Sequence, residues 1–160
     1  MKRLIALFCA IFAVVSVSAQ QLPDIQVETA DGRMVSIREY AGEKPLIISY
    51  WMITCKSCIQ ELNALNDQME EWLEEGDFEV IAISKDDVRL KATAKAKARS
   101  MGWNFVCLYD ANQDLARAMN VTLTPHTFVV DKQGNIVHSH TSYLPGSEVE
   151  LFEQVIELAK

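Results

Sequence analysis

The chain has 160 residues and a mass of 18.0 kDa, and its 49% hydrophobic and 23% charged composition suits one globular domain without demanding a second. A net charge of −7 and an isoelectric point near 4.9 exclude the basic face with which a nucleic-acid-binding protein displaces counterions.

Lys2 and Arg3 precede an apolar run from Leu4 to Val17 and the small residues Ser18 and Ala19. This is the layout of a secretory signal peptide over residues 1–19, cut between Ala19 and Gln20, with a domain over 20–160. The run is roughly 14 residues, short of the roughly 20 that a spanning helix requires, so retention as an anchor is the alternative. Cys9 follows Phe8 rather than the small residue that lipidation wants, and goes with the discarded segment. The remaining chain keeps all 22 acids and carries about −9. Its cysteines are Cys55, Cys58 and Cys107, too few and too odd a number for a disulfide framework. A redox pair with one spare thiol fits better.

In chain order, Ile25–Thr29 and Met34–Ile37 alternate around Ala30-Asp31-Gly32-Arg33 and predict a β-hairpin. A short turn or helix spans Arg38–Glu43. Pro45–Trp51 is a nearly continuous apolar run, as in a strand buried on both faces. Leu62, Leu65, Met69, Trp72 and Leu73 recur at helical spacing, so a helix is predicted from about Lys56 to Glu75, with Gly76 just past it. Phe78–Ser84 predicts a second strand, parallel to the first through a βαβ unit. Asp86 or Asp87 can cap a helix running through the Ala/Lys-rich tract to Ser100, which reads as a solvated outer helix rather than a basic docking patch. Asn104–Tyr109 predicts a strand and Gln113–Met119 a short helix. Thr127–Asp131 and Asn135–His140 form an antiparallel hairpin, and a last helix begins at Ser147, with Ser147 and Glu150 in capping-box spacing and Val149, Phe152, Val155, Ile156 and Ala159 as its apolar stripe.

The chemistry concentrates where the first buried strand meets the long helix. Cys55 and Cys58 stand one turn apart at the helix start, so their sulfurs can close a small ring. The open N–H groups of that first turn favour a thiolate on Cys55. Half a zinc site is the bland alternative, but no second Cys-x-x-Cys or His-x-x-x-His exists to complete it. Glu61, three residues after Cys58, shares its helical face.

Strand, Cys-x-x-Cys helix, strand, connecting region, Thr124-Pro125 entering a hairpin, and a closing helix: this order resembles the thioredoxin fold over nearly the whole mature chain. Trp51 four residues before the first cysteine and Thr-Pro about 70 residues after it make the combination specific. The N-terminal hairpin and a helix-plus-strand insertion over about Val88–Leu108 are similar to the exported TlpA/ResA-like branch of thiol-disulfide oxidoreductases. The resemblance implies an α/β fold, a central mixed sheet flanked by helices. It implies Cys55 as nucleophile, Cys58 as resolving thiol, and Glu61 as the acid that handles their protons. An ordinary thioredoxin carries a buried aspartate where this chain has Ser49. Pro125 is expected to be the cis-proline that faces the cysteines, with Thr124 offering its backbone to an extended substrate and Trp51 beside the loop. Thr54 and the pair Lys56-Ser57 depart from the branch, which usually has an aromatic before the first cysteine and a proline between the two.

The expected activity is extracytoplasmic reduction of partner-protein disulfides by a monomer, in the periplasm or cell envelope. No cofactor or metal is expected, and a membrane thiol transporter supplies electrons. Two rivals remain. A copper chaperone would use Cys55, Cys58 and His126, with His138 and His140 as a weaker metal pair on one strand face. A thiol peroxidase would need proline and threonine where Ile48 and Met52 stand. Cys107 reads as an inert buried thiol.

Overall fold

The computed structural model describes residues 20–160; the segment read as a signal peptide lies outside the described residues. No helix among the described residues is long and apolar enough to cross a membrane. The strands are β1 (Gln26–Thr29), β2 (Met34–Ser36), β3 (Leu46–Trp51), β4 (Glu79–Ser84), β5 (Val106–Tyr109), β6 (His126–Val130) and β7 (Ile136–Thr141). The helices are α1 (Lys56–Glu75), α2 (Lys91–Met101), α3 (Asp114–Ala118) and α4 (Glu148–Ala159), with a 3₁₀ turn at Ile37–Tyr40.

Among the described residues these strands form one mixed sheet in the order β2-β1-β5-β4-β3-β6-β7, a thioredoxin-like arrangement. β3, β4 and β5 run parallel, and β6 lies antiparallel to β3. Every residue of β3 is buried because both faces of the sheet are covered. Ile47 and Trp51 point into a core shared with α1, α2 and α4, while Leu46, Ile48 and Tyr50 point into a second core with α3. Strand alternation therefore turns Ser49 toward α1.

Local chemistry explains where the observed boundaries differ from the expected ones. The capping box expected at Ser147 and Glu150 does not form. Ser147 already has helical backbone angles, its hydroxyl is buried without a partner, and the Glu148 carboxylate instead accepts the Gly146 N–H at 2.9 Å. A capping box does form at the 3₁₀ turn, where Ser36 accepts from Arg38 N–H and Glu39 accepts from Ser36 N–H at 3.0 Å. Neither Asp86 nor Asp87 caps α2 as expected. A turn at 88–90 intervenes and the helix starts at Lys91. Buried Ala94 and Ala98 let α2 lie close to the sheet, and Lys91 and Lys95 both reach Glu28 on β1. Those two ammonium groups hold the Glu28 carboxyl below its usual range, so this part of the basic tract is a structural clamp.

Gly76 follows α1 with extended angles open to any residue; its need is space, since a Cβ there would stand 2.9 Å from Ile156 Cδ1 and 3.1 Å from Ala159 Cβ. α4 packs on α1 through Trp72 and Phe152, stacked at 4.5 Å. The buried face of α4 contains Leu151, Val155 and Ile156, whereas Val149, expected in the stripe, is 44% exposed. Leu151→Ala should cost about 2–5 kcal/mol in urea unfolding. Val149→Ala should stay within about 0.5 kcal/mol; equal losses would mean that α4 presents a different face to the core.

Candidate active site

At the C-terminal end of β3 the chain leaves the sheet through Met52–Thr54 and enters α1, so the site sits where parallel α/β sheets expose strand ends. Three bonds hold this connection. Lys85 N–H donates to Trp51 O at 3.1 Å, Cys55 N–H to Met52 O at 3.0 Å, and Ile53 N–H to the Asp86 carboxylate at 3.0 Å. The same Asp86 oxygen accepts from Ser84 Oγ at 2.9 Å. Asp86 is buried, and burial pushes its carboxyl above the usual value despite those bonds. From sequence it reads only as a possible helix cap; the Ser-x-Asp pattern at a strand end is the one signal of its anchoring role.

Cys55 is the N-cap of α1. Its backbone is extended, and its sulfur accepts the Cys58 N–H at 3.2 Å. A disulfide joins Cys55 to Cys58, whose Cα atoms are 5.3 Å apart. The two sulfurs are unequal: Cys58 is fully buried, while Cys55 is partly open. The Thr124 carbonyl oxygen lies 3.6 Å from Cys55 Sγ, and the Thr124–Pro125 peptide bond is cis. Pro125 O accepts the Ser142 N–H at 3.1 Å, which brings the segment after β7 to the same end of the sheet. Trp51 is wholly buried beneath the loop and meets Trp103 edge-on at 5.2 Å, so it supports the loop from below and offers no surface of its own.

Glu61 is 0% exposed. Thr127 Oγ1 donates to Glu61 Oε1 at 2.7 Å and lies 3.1 Å from Ser49 Oγ, so Ser49 and Glu61 belong to one polar chain. His140 Nε2 approaches Glu61 Oε1 at 3.5 Å, while Glu61 Oε2 has no hydrogen-bond partner. Register explains the meeting: Thr127 pairs with His140 across β6 and β7, on the face that α1 covers. Thr127 and the link from His140 to Glu61 were not legible from the sequence, because they depend on pairing between strands far from α1 in the chain.

His126 is turned away from the sulfurs. Alternation along β6 puts it beside Phe128, on which it stacks at 4.2 Å in the second core. Burial, with His140 and Lys85 nearby, lowers its affinity for a proton. The copper set of the rival reading, Cys55, Cys58 and His126, is therefore not assembled, and among the described residues no group of three or more His, Cys, Asp or Glu could hold a metal. His138 and His140 do share a face, as expected, but His138 Nδ1 meets Gln154 Nε2 at 3.1 Å. Cys107 is only partly buried, yet burial still pushes its thiol up to about 11, where it stays protonated at neutral pH.

The model of the AhpC/TSA family matches residues 18–139. The chain belongs to that family. It is 24% identical over 140 residues to the thiol-disulfide oxidoreductase ResA of Halalkalibacterium halodurans, covering 88% of this chain and 77% of the relative. It is 26% identical over 132 residues to the thioredoxin-like protein YneN of Bacillus subtilis, covering 82% and 75%. Among solved structures, a thioredoxin-like protein from Porphyromonas gingivalis is 37% identical and superposes with a TM-score of 0.76 over 86% of this chain and 91% of its own.

Asp86→Asn tests the anchor of the active-site loop. The amide keeps an acceptor for Ile53 but cannot ionise. Because burial raises the Asp86 carboxyl above 3.8, its contribution to stability is full below that value and is lost as pH rises through the higher folded value. The variant should therefore gain stability relative to wild type between about pH 3 and pH 7 in urea unfolding. A difference that does not change with pH would show an Asp86 that titrates like an exposed carboxyl.

Proposed function

We propose that this chain, a thiol-disulfide oxidoreductase, works outside the cytoplasm and reduces disulfides in partner proteins. The observation that carries the division of labour is the inequality of the two sulfurs: Cys55 is open to a partner, whereas Cys58 is fully buried one turn along α1. In the reduced protein the Cys55 thiolate, favoured by the Cys58 N–H and the helix start, attacks one sulfur of a partner disulfide. A mixed disulfide forms and the partner's other sulfur leaves as thiolate. Cys58 then loses its proton to Glu61 and attacks Cys55, closing the Cys55–Cys58 disulfide and releasing the second partner thiol.

An extended partner segment would lie against the Thr124 backbone beside Pro125, with Trp51 holding the loop from beneath. Residues 1–19 support export, to the periplasm or cell envelope, by their signal-peptide layout. A reductase there needs electrons from across the membrane, so a membrane thiol transporter is the proposed donor, and the protein is proposed to act as a monomer. The peroxidase reading has no support at the two positions it needs: Ile48 is a core residue of β3, and Met52 has no hydroxyl to offer.

A Cys58→Ala variant cannot resolve its mixed disulfide and should trap a small set of partners on Cys55 in cell-envelope extracts; no trapped species at all would contradict the substrate class. Glu61→Gln should slow disulfide exchange about 100-fold with its unfolding midpoint little changed. An unchanged rate would leave Glu61 an ordinary acid of an early helical turn. Equilibration with glutathione should give a reducing potential; a midpoint near −120 mV, the roughly DsbA-like value, would reverse the proposed direction.

A further inference from the structure

Lys85 is the first residue beyond β4 and stands where three parts of the site meet. Its backbone N–H donates to Trp51 O at 3.1 Å, which continues the pairing of β3 with β4 to the point where the chain leaves for Cys55. Its backbone carbonyl accepts from Gln113 Nε2 at 3.1 Å, just before α3. The side chain takes a third direction. Lys85 Nζ donates to Val121 O at 3.0 Å, on the segment that leads from α3 to the cis-proline.

That side-chain bond is unusual. Lys85 is 8% exposed, and a lysine buried to this degree ordinarily faces a carboxylate. Among the described residues Lys85 forms no ion pair, and its ammonium is held by a neutral carbonyl. An apolar side chain of the same length would avoid the desolvation cost, so stability gives little reason for the charge. The segment it grips gives a better one. Val121 is fixed by its N–H to Ala116 O at 2.8 Å and by its carbonyl to Lys85, after which Thr122 and Leu123 are exposed. Thr124 comes next, with its carbonyl 3.6 Å from Cys55 Sγ.

We infer that Lys85 is a positioning residue of the site: through Val121 its ammonium sets where the Thr124 backbone stands relative to Cys55, and so how well an extended partner segment is held for attack. The inference rests on the proposed reduction of partner proteins. Lys85 acts through Val121 and has no bond to either sulfur. Its backbone N–H holds the end of β3 whatever side chain the residue carries, so the two ends of the junction can be separated by mutation. Neighbouring residues then divide the work, with Asp86 fixing the loop that presents the sulfur and Lys85 the segment that presents the partner. A small disulfide with no chain to lay along Thr124 gains nothing from the tie. A peptide that lies there gains orientation, which thiol exchange rewards because the sulfurs must meet in line.

The test compares two disulfides that share one leaving group. The small one is dithiobis(nitrobenzoate); the other is a short peptide whose central cysteine is joined by a disulfide to the same nitrobenzoate thiol. In each, the thiolate of reduced Cys55 forms a bond to one sulfur and the coloured thiolate departs with the electron pair of the broken bond. Lys85→Met, which keeps the length and loses the charge, and the shorter Lys85→Gln should both lower the second-order rate constant for the peptide at least about tenfold while leaving that for the small disulfide within about twofold of wild type. The urea midpoint of Lys85→Met should change little, because loss of the buried charge offsets the carbonyl left without a donor. Equal slowing with both compounds, an unchanged peptide rate in both variants, or a failure of both to fold would overturn the positioning role. If wild type reacts with the small disulfide and not with the peptide, the partner-protein reading itself falls. If wild type takes the peptide and the variants keep its rate, that reading stands and only the role of Lys85 falls.

Discussion

A helix start leaves N–H groups without acceptors, and in this protein one of them is met by sulfur. Cys58 N–H donates to Cys55 Sγ, so the atom that caps the start of α1 is also the sulfur to which the proposed reaction assigns the attack. Much of the architecture serves to hold that geometry. β3 must be buried on both faces so that it ends at a fixed point; its closing residue, Trp51, is locked against Trp103; and the three-residue connection is pinned by Asp86, two residues past the end of β4. Slackening any of these would move Cys55 relative to the first turn of α1. The same N–H that caps the oxidised sulfur is placed to stabilise a thiolate after reduction.

Against this apolar frame the Ser49, Thr127, Glu61 and His140 group is anomalous. Four polar side chains occupy positions on the covered face of the sheet and the inward face of α1, where hydrophobic residues would pack without cost. Desolvating a carboxylate costs several kcal/mol unless its oxygens are hydrogen-bonded, and Glu61 has a strong bond at only one of its two. Stability gives no reason to keep such a group. The proposed proton transfer at the buried Cys58 would give one, because a base that shares the thiol's dry surroundings can reach a proton that water cannot.

The parts of this arrangement that were legible in the sequence are those specified locally. The bounds of α1 follow from the cysteine pair, the Leu62–Leu65–Met69–Trp72 spacing and Gly76, and β3 from its unbroken apolar run. The order of elements then placed the site at a strand end. Signals that depend on a single backbone angle were less dependable: Ser147 and Glu150 have capping-box spacing, yet Ser147 is already helical, while the box that forms, at Ser36 and Glu39, lies in a turn without a strong periodic pattern. Contacts made by register were invisible. Nothing near Thr127 or His140 in the chain points to Glu61; that meeting requires β6 to pair with both β3 and β7 in one alignment. Lys91 and Lys95 likewise read as solvated charges until β1 brings Glu28 between them.

The unequal burial of the two cysteines and the burial of Glu61 are two aspects of one constraint. In the proposed reaction a partner disulfide meets the partly open sulfur, so attack begins at Cys55, where the helix start favours a thiolate without help from a base. The second step has the opposite requirement. Cys58 must ionise with no exposure to water, and creating a charge there is costly unless the proton moves a short distance to an acceptor that is already in place. In the proposed reaction Glu61, one turn further along the same helical face, would meet that need, because both side chains are rooted on the backbone of α1. Glu61 is as isolated from solvent as Cys58. The proton that Glu61 takes in the proposed resolution is the one that Cys58 regains when the disulfide is next reduced, so a base with no exposure to water can act in every cycle.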